Sequence, residues 1–152
     1  MSRAYHVYVA QYERCVSPHH WEICIRTRIE TNAAGKMTES YGSIFHVQGH
    51  TNAWGFQRLD NVHWSNDSYR GKLQIGFAKA NEIDAMEKVM RAVPCPNAEN
   101  ANDSWNCQNW VFEAIGDLQR AGFEIKCPPS FTALVNEMEN ARVAWDAGAT
   151  SD

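Results

Sequence analysis

Residues 20–29, with the sequence HWEICIRTRI, decide the fold that this chain is expected to adopt. Apolar side chains occupy every second position from Trp21 to Ile25, and Glu22 and Cys24 stand between them. A period of two is typical of a β-strand with one buried face. Turn residues at 32–36 separate this segment from a second strand pattern, SIFHVQ, at 43–48. The two segments therefore predict an antiparallel hairpin.

Three more segments carry strand patterns, at residues 4–12, 54–59 and 72–79. The first, AYHVYVAQY, is rich in the β-branched and aromatic residues that favour strands. With the hairpin, these segments predict a sheet of about five strands, which is an ordinary number.

Helical patterns follow the strands. Asn81 is predicted to cap a helix that ends before Pro94. The strongest helical pattern covers residues 104–121, with Asp103 or Ser104 as the predicted N-cap. Gly122 stands where the C-terminal cap of this helix belongs, and a short extended piece follows at 123–126. A last amphipathic helix is predicted to begin after Pro128-Pro129. Strands followed by helices predict an α+β fold with helices packed on an antiparallel sheet.

The length and composition fit one globular domain. The chain has 152 residues, of which 44% are hydrophobic and 21% charged, and one core suffices at this size. A single domain is predicted at residues 1–146, followed by a flexible tail at 147–152.

The charge and hydropathy exclude two classes of function. The net charge is -4, and no cluster of Lys and Arg offers the phosphate contacts that nucleic-acid binding requires. No apolar run reaches the roughly 20 residues of a membrane span, and the first fifteen residues lack a signal-peptide pattern. A cytoplasmic location without nucleic-acid or membrane partners is therefore expected.

The cysteines do not form a disulfide framework. Their number is odd and no CxxC pair occurs, which is typical of reduced thiols rather than of a structural zinc site. Their positions are Cys15, Cys24, Cys95, Cys107 and Cys127. No HxH, HExxH or Cys/His spacing suggests a metal, and no cofactor is expected. His6, His50 and His63 are interpreted as ordinary polar residues.

Cys107 is the candidate nucleophile. It lies four residues before Val111 in the apolar stripe of the 104–121 helix, so its thiol is expected to point toward the sheet. In the first turn of a helix, unpaired N–H groups and the positive end of the dipole favour a thiolate and could hold an oxyanion. Taken by its position alone, a cysteine at a helix start is more often a structural filler.

Histidines on the predicted hairpin supply a candidate base. His20 begins the first strand and His46 lies in the second, so pairing would bring the two imidazoles together facing the 104–121 helix. His19 is an alternative base, but alternation points it away from His20, which alone precedes Trp21.

The segments around these residues resemble a known group of enzymes. His20-Trp21, Phe45-His46-Val47 and Trp105-Asn106-Cys107 resemble the motifs of permuted papain-like families around lecithin retinol acyltransferase and NlpC-type peptidases. The likeness implies a permuted papain-like fold with a Cys-His-His triad, in which Cys107 is the nucleophile, His20 the base and His46 its orienter. Over roughly residues 5–122 the chain also resembles a group of uncharacterised fungal proteins with YHW, FHV and WNC motifs.

The resemblance implies a cysteine-dependent hydrolase or acyltransferase acting on the carbonyl of an amide, ester or thioester, in a small molecule or a peptide. Two alternatives stay open: an inactive papain-like binding or regulatory module, and a tailoring enzyme of a fungal biosynthetic pathway. Candidate substrate-binding residues are Trp21, Trp54, Trp105 and Gln48. Trp110 could join the tryptophans in lining a groove, and Gln11 is an alternative to Gln48 as an oxyanion donor.

Overall fold

The computed structural model describes residues 4–14, 19–50, 53–64, 66–96 and 105–148, with the backbone alone described at 37, 38 and 50. Five strands form one antiparallel sheet, which confirms the α+β class and the predicted sheet. They are β1 (Ala4–Tyr12), β2 (His20–Thr31), β3 (Met37–His50), β4 (Ala53–His63) and β5 (Tyr69–Lys79).

The strand order is β4-β3-β2-β1-β5. The first four strands follow one another as a meander, and β5 returns to pair with β1 on the other side. The connection from β4 to β5 crosses one face of the sheet, where the carbonyl of Trp64 accepts a hydrogen bond from the Tyr12 hydroxyl at 2.7 Å. The predicted hairpin of β2 and β3 is confirmed, with Ile23 opposite Phe45.

The three helices are α1 (Ile83–Arg91), α2 (Cys107–Arg120) and α3 (Phe131–Asp146). They share one hydrophobic core with a single face of the sheet, which includes Trp21, Ile23, Phe45 and Val47. The other face has a smaller cluster of its own, built around Tyr8, Tyr12, Cys24, Ile44 and Trp64. The alternation over residues 20–29 therefore directs successive side chains to two faces of the sheet, one packed on the helices and the other carrying the smaller cluster.

Two predicted helix caps need revision. Asn81 does not cap α1, because a 3₁₀ turn at Ala80–Glu82 leads into that helix and Glu82 takes the N-cap position. The N-cap of α2 is Asn106, whose side chain accepts the N–H of Gln108 at 2.8 Å while Asn109 accepts the N–H of Asn106 at 2.9 Å. The caps predicted at 103 and 104 lie outside the described residues.

The end of α2 and the start of α3 agree with the sequence patterns. Gly122, with φ of 93°, follows the C-cap of α2 as predicted. Ser130 caps α3 directly after the two prolines, accepting the N–H of Ala133 at 3.1 Å. Residues 147–148 form a turn, and the rest of the predicted tail lies outside the described residues.

Candidate active site

Cys107 is the first residue of α2, and its side chain is fully buried against the start of β2. Its Sγ lies 3.9 Å from the carbonyl oxygen of His19, and the backbone N–H of Trp21 donates to it. The predicted orientation toward the sheet is confirmed. The thiol thus lies at the positive end of α2, where a negative charge is stabilised.

The imidazole of His20 lies beside the thiol of Cys107, close enough for each group to shift the pKa of the other. Burial opposes ionisation of the thiol, but the bonds with His20 and Trp21 outweigh it and lower the pKa of Cys107. Burial likewise opposes the imidazolium, yet the bonds with Cys107 and Glu22 raise the pKa of His20 to about 9. Both shifts favour a thiolate–imidazolium pair.

The other side of the His20 ring meets two partners. Its Nε2 lies 3.3 Å from Oε1 of Glu22 and 3.2 Å from Nδ1 of His46. Nε2 is therefore the nitrogen turned toward the sheet partners, and Nδ1 lies on the other side of the ring. The guanidinium of Arg14 lies 2.7 Å from Nδ1, and its positive charge also lowers the pKa of the thiol.

His46 does not face the helices as predicted. Phe45 and Val47 lie in the core beneath the helices, so alternation places the His46 ring on the opposite face of the sheet. There its Nδ1 lies 3.2 Å from Oε1 of Glu22, and its Nε2 lies 2.9 Å from Oε1 of Gln57. His20 reaches both sides because it stands at the very end of β2.

Glu22 is the functional residue that the sequence interpretation missed. It is 4% exposed, and its Oε2 accepts a hydrogen bond from Tyr12 at 3.0 Å. Burial opposes ionisation of this carboxyl, but the bonds from His20 and His46 lower its pKa to about 2. A signal was present: a carboxylate two residues after His20 in a strand must share its face.

The predicted substrate-binding residues lie in three different places. Trp54 and Trp105 contact each other edge to face, with ring centroids 5.8 Å apart, near the start of α2. Trp21 is buried against Phe131 and belongs to the core. Gln48 is exposed beside the histidine cluster.

The two alternatives to these residues have structural roles. Gln11 is buried and donates to the carbonyl of Met138 at 2.8 Å, so its amide is already engaged. Trp110 is fully buried in the core, where its ring lies 5.8 Å from that of Phe56. Neither is placed to bind a substrate.

A cavity of about 570 Å³ opens on the face that carries His46. Its lining includes His20, Glu22, His46 and Gln48 from the sheet and Trp64 from the β4–β5 connection. Cys107 is not among the residues that line it. His20 therefore separates the cavity from the thiol.

His20, Glu22 and His46 also form the one group of metal-capable side chains found in the described parts of the chain, with ligand atoms all within 4.8 Å of one another. Sequence spacing could not reveal the group, because two ligands come from β2 and the third from β3.

The fold and site define a class: an α+β domain in which a helix-start cysteine is paired with a strand histidine. The chain belongs to a family of unknown function, DUF6540, whose model matches residues 7–123. That range contains every residue of the site described above. No curated protein and no solved structure matches the chain. Within the described residues, no helix is long and apolar enough to cross a membrane.

Proposed function

We propose that this protein is a cysteine-dependent hydrolase or acyltransferase of permuted papain-like architecture. The observation that carries the proposal is the pairing of the Cys107 thiol with the neighbouring His20 imidazole at the N-terminus of α2. The chain order His20, His46, Cys107 agrees with the permuted arrangement.

The reaction assigns a step to each residue. His20 takes the thiol proton, and the Cys107 thiolate attacks the substrate carbonyl to form an acyl-enzyme. The imidazolium then returns the proton to the leaving group, and water or a second acceptor releases the acyl group. The backbone N–H of Cys107 has no helical acceptor and can stabilise the oxyanion.

Two groups hold the base in place. Glu22 and His46 both contact Nε2 of His20, so they fix the ring, and the carboxylate of Glu22 stabilises its charged form. In this respect Glu22 acts as the carboxylate of a Ser-His-Asp triad does.

A second candidate, a binding module without turnover, is favoured by one observation. Cys107 is fully buried and does not line the cavity, so acylation requires the groups over the thiol to move aside. Gln108 is one such group, because its Nε2 bonds the same His19 carbonyl that Sγ approaches. A module that binds through the cavity alone would need no such movement.

A screen of thioesters, activated esters and peptide amides tests the proposal. Wild type, Cys107→Ala and His20→Ala are compared, with Cys24→Ala as a buried-thiol control and His19→Ala as a histidine control. We expect turnover that both site variants abolish and both controls retain. Turnover that survives Cys107→Ala contradicts the mechanism, and silence across the panel favours the binding module.

A further inference from the structure

Three side chains at the end of β2 and on β3 converge on one point. Nε2 of His20, Nδ1 of His46 and Oε1 of Glu22 form a nearly equilateral triangle with sides of 3.2, 3.2 and 3.3 Å. The side chains are 12%, 5% and 5% exposed for His20, His46 and Glu22. The three atoms are thus in mutual contact while their side chains are largely buried.

Each of these three atoms meets the other two in the same small space. Oε1 of Gln57 lies 2.9 Å from Nε2 of His46, so that nitrogen donates to the amide oxygen and Nδ1 is the nitrogen turned toward the triangle. The two ring nitrogens and the carboxylate oxygen are all atoms of the kind that bind metal ions.

A metal ion would satisfy all three atoms at once. Zinc binds nitrogen and oxygen ligands at about 2.0–2.2 Å, so tetrahedral angles separate its ligands by about 3.3–3.6 Å and octahedral right angles by about 2.8–3.1 Å. The observed sides of 3.2–3.3 Å lie between these two spacings, so one ion can reach all three atoms. Two histidines with one carboxylate are a ligand set that zinc uses with an open fourth position.

The surrounding groups are arranged as they are around metal ligands. Gln57 holds the far nitrogen of His46, and Tyr12 holds the second oxygen of Glu22. Such outer partners fix the tautomer and orientation of the ligands. All three ligands line the cavity, which leaves room there for a water molecule as fourth ligand.

We propose that His20, Glu22 and His46 form a three-ligand site for Zn²⁺ that opens into the cavity, and that the bound ion switches off the thiol chemistry. The inhibitory part rests on the proposed function. A neutral imidazole has one lone pair, and an ion bound through Nε2 of His20 occupies it. His20 then cannot accept the thiol proton, so metal binding and base catalysis exclude each other.

The site is tested by zinc titration against a chromophoric chelator and by the absorption spectrum of the Co²⁺-loaded full chain. We expect one ion per chain in wild type and in Cys107→Ala alike, with no thiolate-to-cobalt charge-transfer band. Glu22→Gln and His46→Asn should weaken zinc binding by well over tenfold, and Gln57→Leu by roughly tenfold or more, as outer-partner changes do. His63→Ala, on β4 beside the same cavity, is the matched control and should bind as wild type does.

Distinct results overturn the site and the proposed function. Absent zinc binding, or binding unchanged in both Glu22→Gln and His46→Asn, overturns the site. A cobalt–thiolate band that disappears in Cys107→Ala also overturns it. Should the ligand variants fail to fold, the wild-type and Cys107→Ala spectra decide the matter.

If zinc binds as expected but no thiol activity is found, the metal site stands and the proposed function fails. If zinc binds but leaves turnover unchanged, the inhibitory role is overturned.

Discussion

The hydroxyl of Tyr12 lies 3.0 Å from Oε2 of Glu22 and ties the last residue of β1 to the buried carboxylate of β2. It lies 2.7 Å from the carbonyl of Trp64 as well, so one phenol joins the sheet, the carboxylate and the β4–β5 connection. The stability of the site therefore depends on a residue that takes no part in proton transfer.

Tyr12→Phe should lower the free energy of unfolding by about 1–3 kcal/mol, because it removes the one O–H group that a buried carboxylate oxygen and a buried carbonyl oxygen share. Urea denaturation of both proteins measures the difference. Tyr41→Phe is the matched control, since Tyr41 donates to Glu39 in a more exposed setting. Its effect should stay within about 0.5 kcal/mol. Equal effects of the two substitutions would contradict a special role for Tyr12.

The carboxylate of Glu22 should make stability depend on pH in acid. Its pKa in the folded protein is about 2, below the value of about 4.3 in an unfolded chain. Its stabilising contribution is therefore present above about pH 4.3 and is lost as the pH falls toward about 2. The difference in unfolding free energy between wild type and Glu22→Gln, measured with a chelator present, should shrink over this interval. Glu13→Gln, an exposed carboxylate at the same cavity, should show no comparable trend.

Two buried cysteines should differ in reactivity. Cys24 and Cys107 are both fully buried. Burial and the neighbouring Glu22 raise the pKa of Cys24. The interactions with His20 and with the backbone of Trp21 lower the pKa of Cys107. Brief treatment with a small alkylating reagent at about pH 6 should therefore label Cys107 before Cys24, as read by peptide mass spectrometry. Equal labelling would show that access alone governs the reaction.

Among the proposed catalytic residues, the orienters should matter less than the nucleophile and base. Cys107→Ala and His20→Ala remove groups that act as one unit, so each should abolish turnover to a similar extent. His46→Asn and Glu22→Gln should leave measurable turnover, because either remaining partner still holds Nε2 of His20. Steady-state kinetics with the best substrate of the screen checks this order. Complete loss in His46→Asn would assign His46 a direct role in proton transfer.

A glycine in β5 should be essential to the fold. A Cβ at Gly76 would lie 2.0 Å from the carbonyl oxygen of Glu124, because the segment after α2 pairs closely with β5. Gly76→Ala should cost more than about 1 kcal/mol of unfolding free energy. At Gly55 in β4, a Cβ would meet no atom within 4 Å. Gly55→Ala is therefore the control, and a comparable loss there would contradict the steric explanation.

The sequence by itself determined the local elements of this protein. Alternation over residues 20–29 and 43–48 predicted both strands of the hairpin, and the apolar stripe after Cys107 predicted α2 and the direction of its thiol. These features depend on periodicities of two and of 3.6 residues, which any chain segment carries in its own order of residues. The contact of His20 with Cys107 followed once the elements were packed, as the resemblance implied.

The faces, caps and partners of the site were decided only by the tertiary structure. His46 was placed on the wrong face, because pairing two strands does not say which face the helices will cover. Gln57 and Tyr12 reach the site from β4 and β1, so no sequence pattern near His46 or Glu22 predicts these two contacts. Their convergence depends on the register of four strands and on the connection that crosses the sheet, and register is fixed by long-range pairing rather than by any local pattern.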